Sequence, residues 1–368
     1  MNRAHNFSAG PAALPLPVLE SLQGVLTEFE DAQAGLMEIS HRSKQFDAVV
    51  KSAEARLREI LNIPKDYSVL FLQGGASLQF YMSALNLLGP DDKADYLLTG
   101  SWSQKALKDA KRCTSDAESI WAPDDKVFNR VPSHGDYTVR DGAAFVHYTT
   151  NNTIYGTQYA TTPDCGSTPL VADMSSDICS RPVDVSKHAV IYAGAQKNLG
   201  PSGVTVVILS PWAVERSRTV GQSRPGGLPA MLDYGLMVDK DSLYNTPNTF
   251  GIFALDRVLD WIQKQGGVKA MAELNERKAA HLYGELDASD FWTPHAREGS
   301  RSLMNVTWRG PNEDLEKAFI AEADAAGLKA LKGHRSVGGI RASTYNACSM
   351  ESVEALVTFM KEFEARNS

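Results

Sequence analysis

The sequence is poor in cysteine. Four occur in 368 residues, Cys113, Cys165, Cys179 and Cys348, and no two form a CxxC pair. That spacing excludes a zinc cluster and a dense disulfide framework, so free thiols in a reducing cytosol are expected and no metal site is. The N-terminal stretch MNRAHNFSAGPAALPLP has no apolar core of a signal peptide, and no run approaches the ~18 apolar residues of a membrane span. Positive charge is also in deficit. Lys and Arg total 37 against 44 Asp and Glu, a net charge of −7, which is the wrong sign for gripping nucleic acid by bulk charge. An anionic ligand therefore has to be held by a local pocket. Neither GxGxxG nor GxxxxGK[ST] occurs, so the dinucleotide and Walker-type phosphate loops have no support. These absences together lead us to expect a soluble, cytoplasmic protein with neither a membrane nor a nucleic-acid partner.

What is present is ordinary globular composition, 43% hydrophobic and 22% charged, over a length that suggests about two domains. After a Pro-rich arm, residues 18–32 and 43–61 have amphipathic helical spacing. Short apolar runs then follow at 67–73, 94–100, 143–150, 169–175, 190–196 and 203–210, with helical segments such as 76–88 and 103–111 between several of them. Apolar runs buried on both faces and separated by helices predict an α/β domain with a largely parallel sheet. Ligands collect at the carboxyl ends of such strands. A long helix over 250–266 leads into helices at 268–285, 313–326 and 350–366 with strands at 303–308 and 337–342, a smaller α+β domain. The expected division is an arm at 1–15, a large domain at 16–265 and a small one at 266–368.

Four strand ends carry candidate chemistry. Asp173 closes PLVAD and Lys197 follows VIYAGAQ, among small residues. Burial there would depress the lysine's pKa and make it a nucleophilic amine. Pyridoxal phosphate chemistry needs such a lysine, and a carboxylate to keep the ring nitrogen protonated. By themselves the two residues are also an ordinary ion pair. In LFLQGGASLQF a strand runs through Gly74 and Gly75 into a helix whose first N–H groups could hold a phosphate; without a ligand the same glycines make a plain tight turn. Trp102 lies just past the second run, where it could stack on a flat ring or simply pack. Thr153, in the loop TTNNTIYG, could donate to a ring oxygen.

The segments NFSAGPAALP, GLMEISHRSKQF, FLQGGASLQF, ADMSSDICSRPVDV, YAGAQKNLGPSGV, YNTPNTF and GHRSVGGIRAS together resemble the phosphoserine aminotransferase family of class-V, fold-type-I pyridoxal phosphate enzymes. The resemblance runs through essentially the whole chain. It implies a large domain with a mostly parallel seven-stranded sheet flanked by helices, plus a smaller α+β domain. It further implies that Lys197 is the Schiff-base lysine, Asp173 the partner of the pyridine nitrogen, Trp102 the stacking aromatic and Thr153 the group at the ring hydroxyl. Ala76, Ser77 and Gln196 would hold the cofactor phosphate. Asn245 and Thr246 would reach the phosphate of a neighbouring subunit, so a homodimer with shared sites is implied. Arg341 would bind the α-carboxylate, and His41, Arg42, His334 and Arg335 the distal anion. One departure is visible: some relatives carry an arginine in the Ala76-Ser77 turn, and this chain does not.

The implied reaction is transamination between L-glutamate and 3-phosphohydroxypyruvate, giving O-phospho-L-serine and 2-oxoglutarate in serine biosynthesis. A second activity on 3-hydroxy-2-oxo-4-phosphonooxybutanoate in pyridoxine biosynthesis is also implied. Two alternatives stand beside it, an aminotransferase of alanine–glyoxylate type and a Schiff-base lysine enzyme that works without pyridoxal phosphate. The five cationic positions weigh against small uncharged keto acids, which would leave several of them unpaired.

Overall fold

The computed structural model describes residues 3–368. The centre of the fold is a seven-stranded sheet made of β1 (Ser68–Leu72), β2 (Lys93–Leu97), β3 (Ala117–Trp121), β4 (Ala143–Thr149), β5 (Leu170–Asp173), β6 (Val190–Gly194) and β7 (Thr205–Leu209). Their spatial order is β1-β7-β6-β5-β4-β2-β3. Strand β7 runs antiparallel to both neighbours, and the remaining pairings are parallel. The helices are α1 (Leu16–Gly24), α2 (Lys44–Leu61), α3 (Gly75–Leu87), α4 (Ser101–Ala110), α5 (Pro211–Ser223), α6 (Tyr234–Asp239), α7 (Thr249–Lys264), α8 (Gly267–Ala288), α9 (Glu313–Ala325) and α10 (Met350–Asn367).

Alternation along the strands feeds two cores. In β7, Val206 and Ile208 join the cluster under α1, α2 and α7, while Val207 and Leu209 join the one under α3 to α6. Both faces are thus covered, as a parallel sheet requires. Helix α2 shows how the sequence specifies its elements. Ser43 caps it by accepting from the Phe46 N–H, and Phe46, Val49, Val50, Ala53 and Leu57 bury one stripe. Asn62, in the left-handed region, then ends it. A third core holds α8, α9 and α10 against the antiparallel strands β8 (Thr293–Pro294), β9 (Asn305–Arg309) and β10 (Ile340–Ser343), with Trp292, Phe319 and Phe363 packed edge to face or tilted.

Two local expectations differ from the structure. The helix expected over 18–32 ends at Gly24, where the chain folds back: Leu36 N–H donates to Val25 O, and Phe29 N–H to Ala34 O. Phe29 and Leu36 are buried from this loop, so their apolar character reflects the fold-back and not a longer helix. The seventh strand, β3, lies at the sheet edge with only its ends buried, and its sequence AESIW carries too few apolar residues to announce a strand. The sequence-derived boundary at 265/266 falls in the turn between α7 and α8. The arm does not stand apart: His5–Asn6 pairs in parallel with Leu328–Lys329, Phe7 enters the third core, and Ala9 and Gly10 reach the carboxyl ends of the sheet.

Candidate active site

The carboxyl ends of β1, β2, β4, β5 and β6 open into one cavity of about 470 Å³, within the ~300–1,000 Å³ usual for small-molecule sites. Lys197 and Asp173 both line it. Among the described residues the Lys197 amine has no hydrogen-bond partner. Burial draws its pKa down from 10.5 to about 8, with Asp173 pulling it back up and Arg341 adding to the depression. Asp173 is held by its own turn: the Ser175 N–H and hydroxyl donate to Oδ1 at 3.0 and 2.6 Å. Among the described residues its other oxygen has no hydrogen-bond partner. Burial raises the carboxyl's pKa, while Ser175 and Lys197 oppose the shift.

The turn between β1 and α3 supplies backbone donors. Gly74 has φ +90°, and a Cβ there would stand 2.5 Å from Leu78 Cδ2, so only glycine lets this turn close onto the helix. The Gly75 N–H donates to Thr205 Oγ1 at 2.8 Å. Among the described residues no side chain caps α3, which leaves the amides of Ala76 and Ser77 as first-turn donors without partners at the cavity wall. Gln196 lines the same cavity, with its carbonyl accepting from the Ala12 N–H of the arm. In the same cavity, Trp102 Nε1 donates to Thr153 Oγ1 at 3.0 Å, which holds the indole in place.

Of the five cationic positions, Arg341 and His334 line the cavity. Arg341 donates from Nη1 to Thr153 O at 2.9 Å, and among the described residues its buried Nε has no partner. Burial lowers the pKa of this guanidinium. His334 is pushed down by burial and by Arg341, Arg335 and Lys105. Arg335 is exposed beside it. His41 and Arg42 do not line this chain's cavity; Arg42 is exposed, and His41 has a buried Nε2 with no partner. Asn245 and Thr246 also lie outside it, on a partly exposed loop tied to Gln73 through Thr246 O.

Sequence reasoning missed several residues of the site. Ser175, which orients Asp173, is legible in hindsight as a short hydroxyl side chain two residues beyond it in ADMSS. Gly10 lies against the lysine, where a Cβ would stand 3.5 Å from Lys197 Cγ. Asp177 is 6% exposed and takes Thr150 Oγ1 and Gln158 Nε2, and it stands near enough to Lys197 to act on its charge. No pattern in the sequence marks that convergence.

The family model for class-V aminotransferases matches residues 4–356. The chain is 53% identical to phosphoserine aminotransferase of Geobacillus kaustophilus, over 100% of this chain and 99% of that protein. Its structure superposes on the phosphoserine aminotransferase of Bacillus circulans subsp. alkalophilus with a TM-score of 0.94 and 45% identity, covering 100% of both chains. Against the pyridoxal-phosphate-bound phosphoserine aminotransferase of Trichomonas vaginalis the TM-score is 0.91 at 37% identity, over 98% of this chain and 100% of that one. The chain therefore belongs to the class-V aminotransferases and, within them, to the phosphoserine aminotransferases, a family of pyridoxal-phosphate-dependent transaminases.

Proposed function

We propose that this chain transfers the amino group of L-glutamate to 3-phosphohydroxypyruvate, as a cytoplasmic homodimer with shared active sites. The observation that carries the reading is the presence of Lys197, Asp173 and Arg341 in one cavity whose wall holds free helix-terminal amides. The donor set fits pyridoxal phosphate. Among the described residues an unpartnered amine lines the cavity, a buried carboxylate keeps one oxygen without a hydrogen bond, and Ala76 and Ser77 have amides that could hold a phosphate. When bound, the cofactor supplies a sink for the electrons of the broken Cα–H bond, provided its ring nitrogen stays protonated beside Asp173.

The chain's own residues do the remaining work. Lys197, with its pKa lowered to about 8, has a neutral fraction near physiological pH that can bond a carbonyl carbon and take the proton from substrate Cα. Arg341 offers its remaining fork to the α-carboxylate, and the orphaned Nε is the donor such a ligand would satisfy. His334 and Arg335 receive the distal phosphate or carboxylate. His41, Arg42, Asn245 and Thr246 serve a site completed by a second chain, Asn245 and Thr246 at the cofactor phosphate. The four-carbon acid 3-hydroxy-2-oxo-4-phosphonooxybutanoate carries the same two anions, so a second activity in pyridoxine biosynthesis belongs to this reading.

The test is acceptor choice. After reaction with glutamate, the enzyme should be returned to its starting absorbance by 3-phosphohydroxypyruvate far more efficiently than by pyruvate or glyoxylate. Equal efficiency with pyruvate would overturn the substrate assignment and favour an enzyme of alanine–glyoxylate type. Full activity in a protein freed of cofactor would instead favour the cofactor-independent lysine enzyme.

A further inference from the structure

The segment that follows Arg341 is held by an ammonium group outside the cavity. Lys278, on α8, is 0% exposed. Its Nζ donates to three main-chain carbonyls of one loop, Thr344 O at 2.9 Å, Tyr345 O at 2.8 Å and Cys348 O at 3.0 Å. Among the described residues it forms no ion pair, and burial draws its pKa down to about 8. A buried charge without a counter-ion is costly unless hydrogen bonds replace water, and here every ammonium proton has its own carbonyl. What results is a loop of fixed shape.

That loop touches the other parts of the site. It continues directly from β10, the strand that carries Arg341. Tyr345 donates its hydroxyl to Ala9 O of the arm at 2.8 Å. The Asn346 N–H donates to Oδ1 of Asn198, the residue after Lys197, at 3.0 Å. Asn346 Nδ2 reaches Cys179 O at 2.9 Å, and Asn198 Nδ2 reaches Ile178 O at 3.1 Å, both just past Asp177. A second residue of α8, Asn275, donates to Asn346 Oδ1 at 2.9 Å. The loop therefore joins the strand of Arg341 to the immediate neighbour of Lys197, and α8 grips it at both positions.

We propose that Lys278 is a positioning residue for the reaction: by clamping Thr344–Cys348 it sets where Arg341 stands relative to Lys197. This rests on the reading of Arg341 as the residue that binds the substrate carboxylate. Lys278 touches no substrate. Its effect reaches the chemistry only through the placement of Arg341, so the two residues must act as one unit.

A double-mutant cycle on the cofactor-loaded enzyme tests this. Lys278→Met should lower kcat/KM for glutamate about tenfold, mainly through KM, and the same change in an Arg341→Ala background should cost almost nothing more. Lys278→Arg, which keeps the charge and the donors, should recover part of the loss. If Lys278→Met does not fold, Asn346→Ala carries the cycle instead, since it cuts the loop's side-chain ties to Cys179 O and to Asn275 on α8 while leaving Lys278 paired. Equal losses in both backgrounds, or a fall in kcat with glutamate KM unchanged, would overturn the proposal. If Arg341→Ala leaves glutamate KM unaltered, the assignment of Arg341 fails and the proposal falls with it, an outcome separate from additivity.

Discussion

Replacing Lys197 by methionine should make the cofactor-free protein more stable while abolishing its turnover. The folded protein holds the amine at a pKa of about 8, against 10.5 for an ordinary lysine. Between those values the unfolded chain binds a proton that the folded chain has released, so stability rises with pH across the window. Below about pH 8 both states are protonated, and the folded state carries the whole cost. A gap of 2.5 units corresponds to about 3 kcal/mol, and because the side chain is only partly buried where it borders the cavity, about 2–3 kcal/mol is expected. Lys278 has its pKa drawn down to about 8 as well, but it is common to both proteins and cancels in the difference. Urea unfolding of the two apoproteins at intervals from pH 7 to 10.5 measures the effect. The gain should be full at pH 7 and fade as pH approaches 10.5. A variant no more stable than the parent at pH 7, or a gain independent of pH, would refute the reasoning. The physical content is that the site stores the cost of a desolvated amine, and covalent capture of a carbonyl releases it.

Further expectations follow from individual contacts. Thr153→Val deletes the acceptor of the Trp102 indole N–H but leaves the backbone carbonyl that holds Arg341, so cofactor dissociation should rise about tenfold while glutamate KM stays close to the parent value; a fluorescence titration and steady-state kinetics separate the two. Gly74→Ala forces a Cβ to within 2.5 Å of Leu78 at φ +90° and should lower stability by more than ~1 kcal/mol along with cofactor retention, read by thermal unfolding and absorbance. Co-expressing Lys197→Ala chains with chains carrying Asn245→Ala and Thr246→Ala should restore activity that neither has alone, because a mixed dimer would contain one intact shared site; no recovery in a verified mixed dimer would contradict sharing.

Much of the site was legible because its chemistry sits at strand ends, where apolar runs give way to polar residues. Asp173 and Lys197 stood out for that reason, and Gly74-Gly75 marked the turn into α3. The α/β architecture with its largely parallel sheet was likewise readable from six apolar runs such as VTVVIL, buried on both faces, while the count of seven strands came from the family resemblance. What stayed hidden depends on contacts between distant segments. The edge strand β3 has only its two end residues buried, and the loop after α1 imitates a longer helix because its apolar side chains fold back into the core. Ala9 and Gly10 come to the lysine only because the arm is pinned by pairing at His5–Asn6 and by Tyr345. Lys278 reads in sequence as one more helix-surface lysine, since nothing local reveals that three carbonyls from residues 344–348 converge on it.

In the proposed function, Lys197 is the amine that captures the cofactor's carbonyl. Borohydride reduction of the purified, cofactor-loaded protein, followed by peptide mass analysis, tests it directly. A single stable pyridoxyl adduct is expected on the peptide containing Lys197, absent from Lys197→Ala. An adduct on another lysine of the native protein, with Lys197 unmodified, would contradict it.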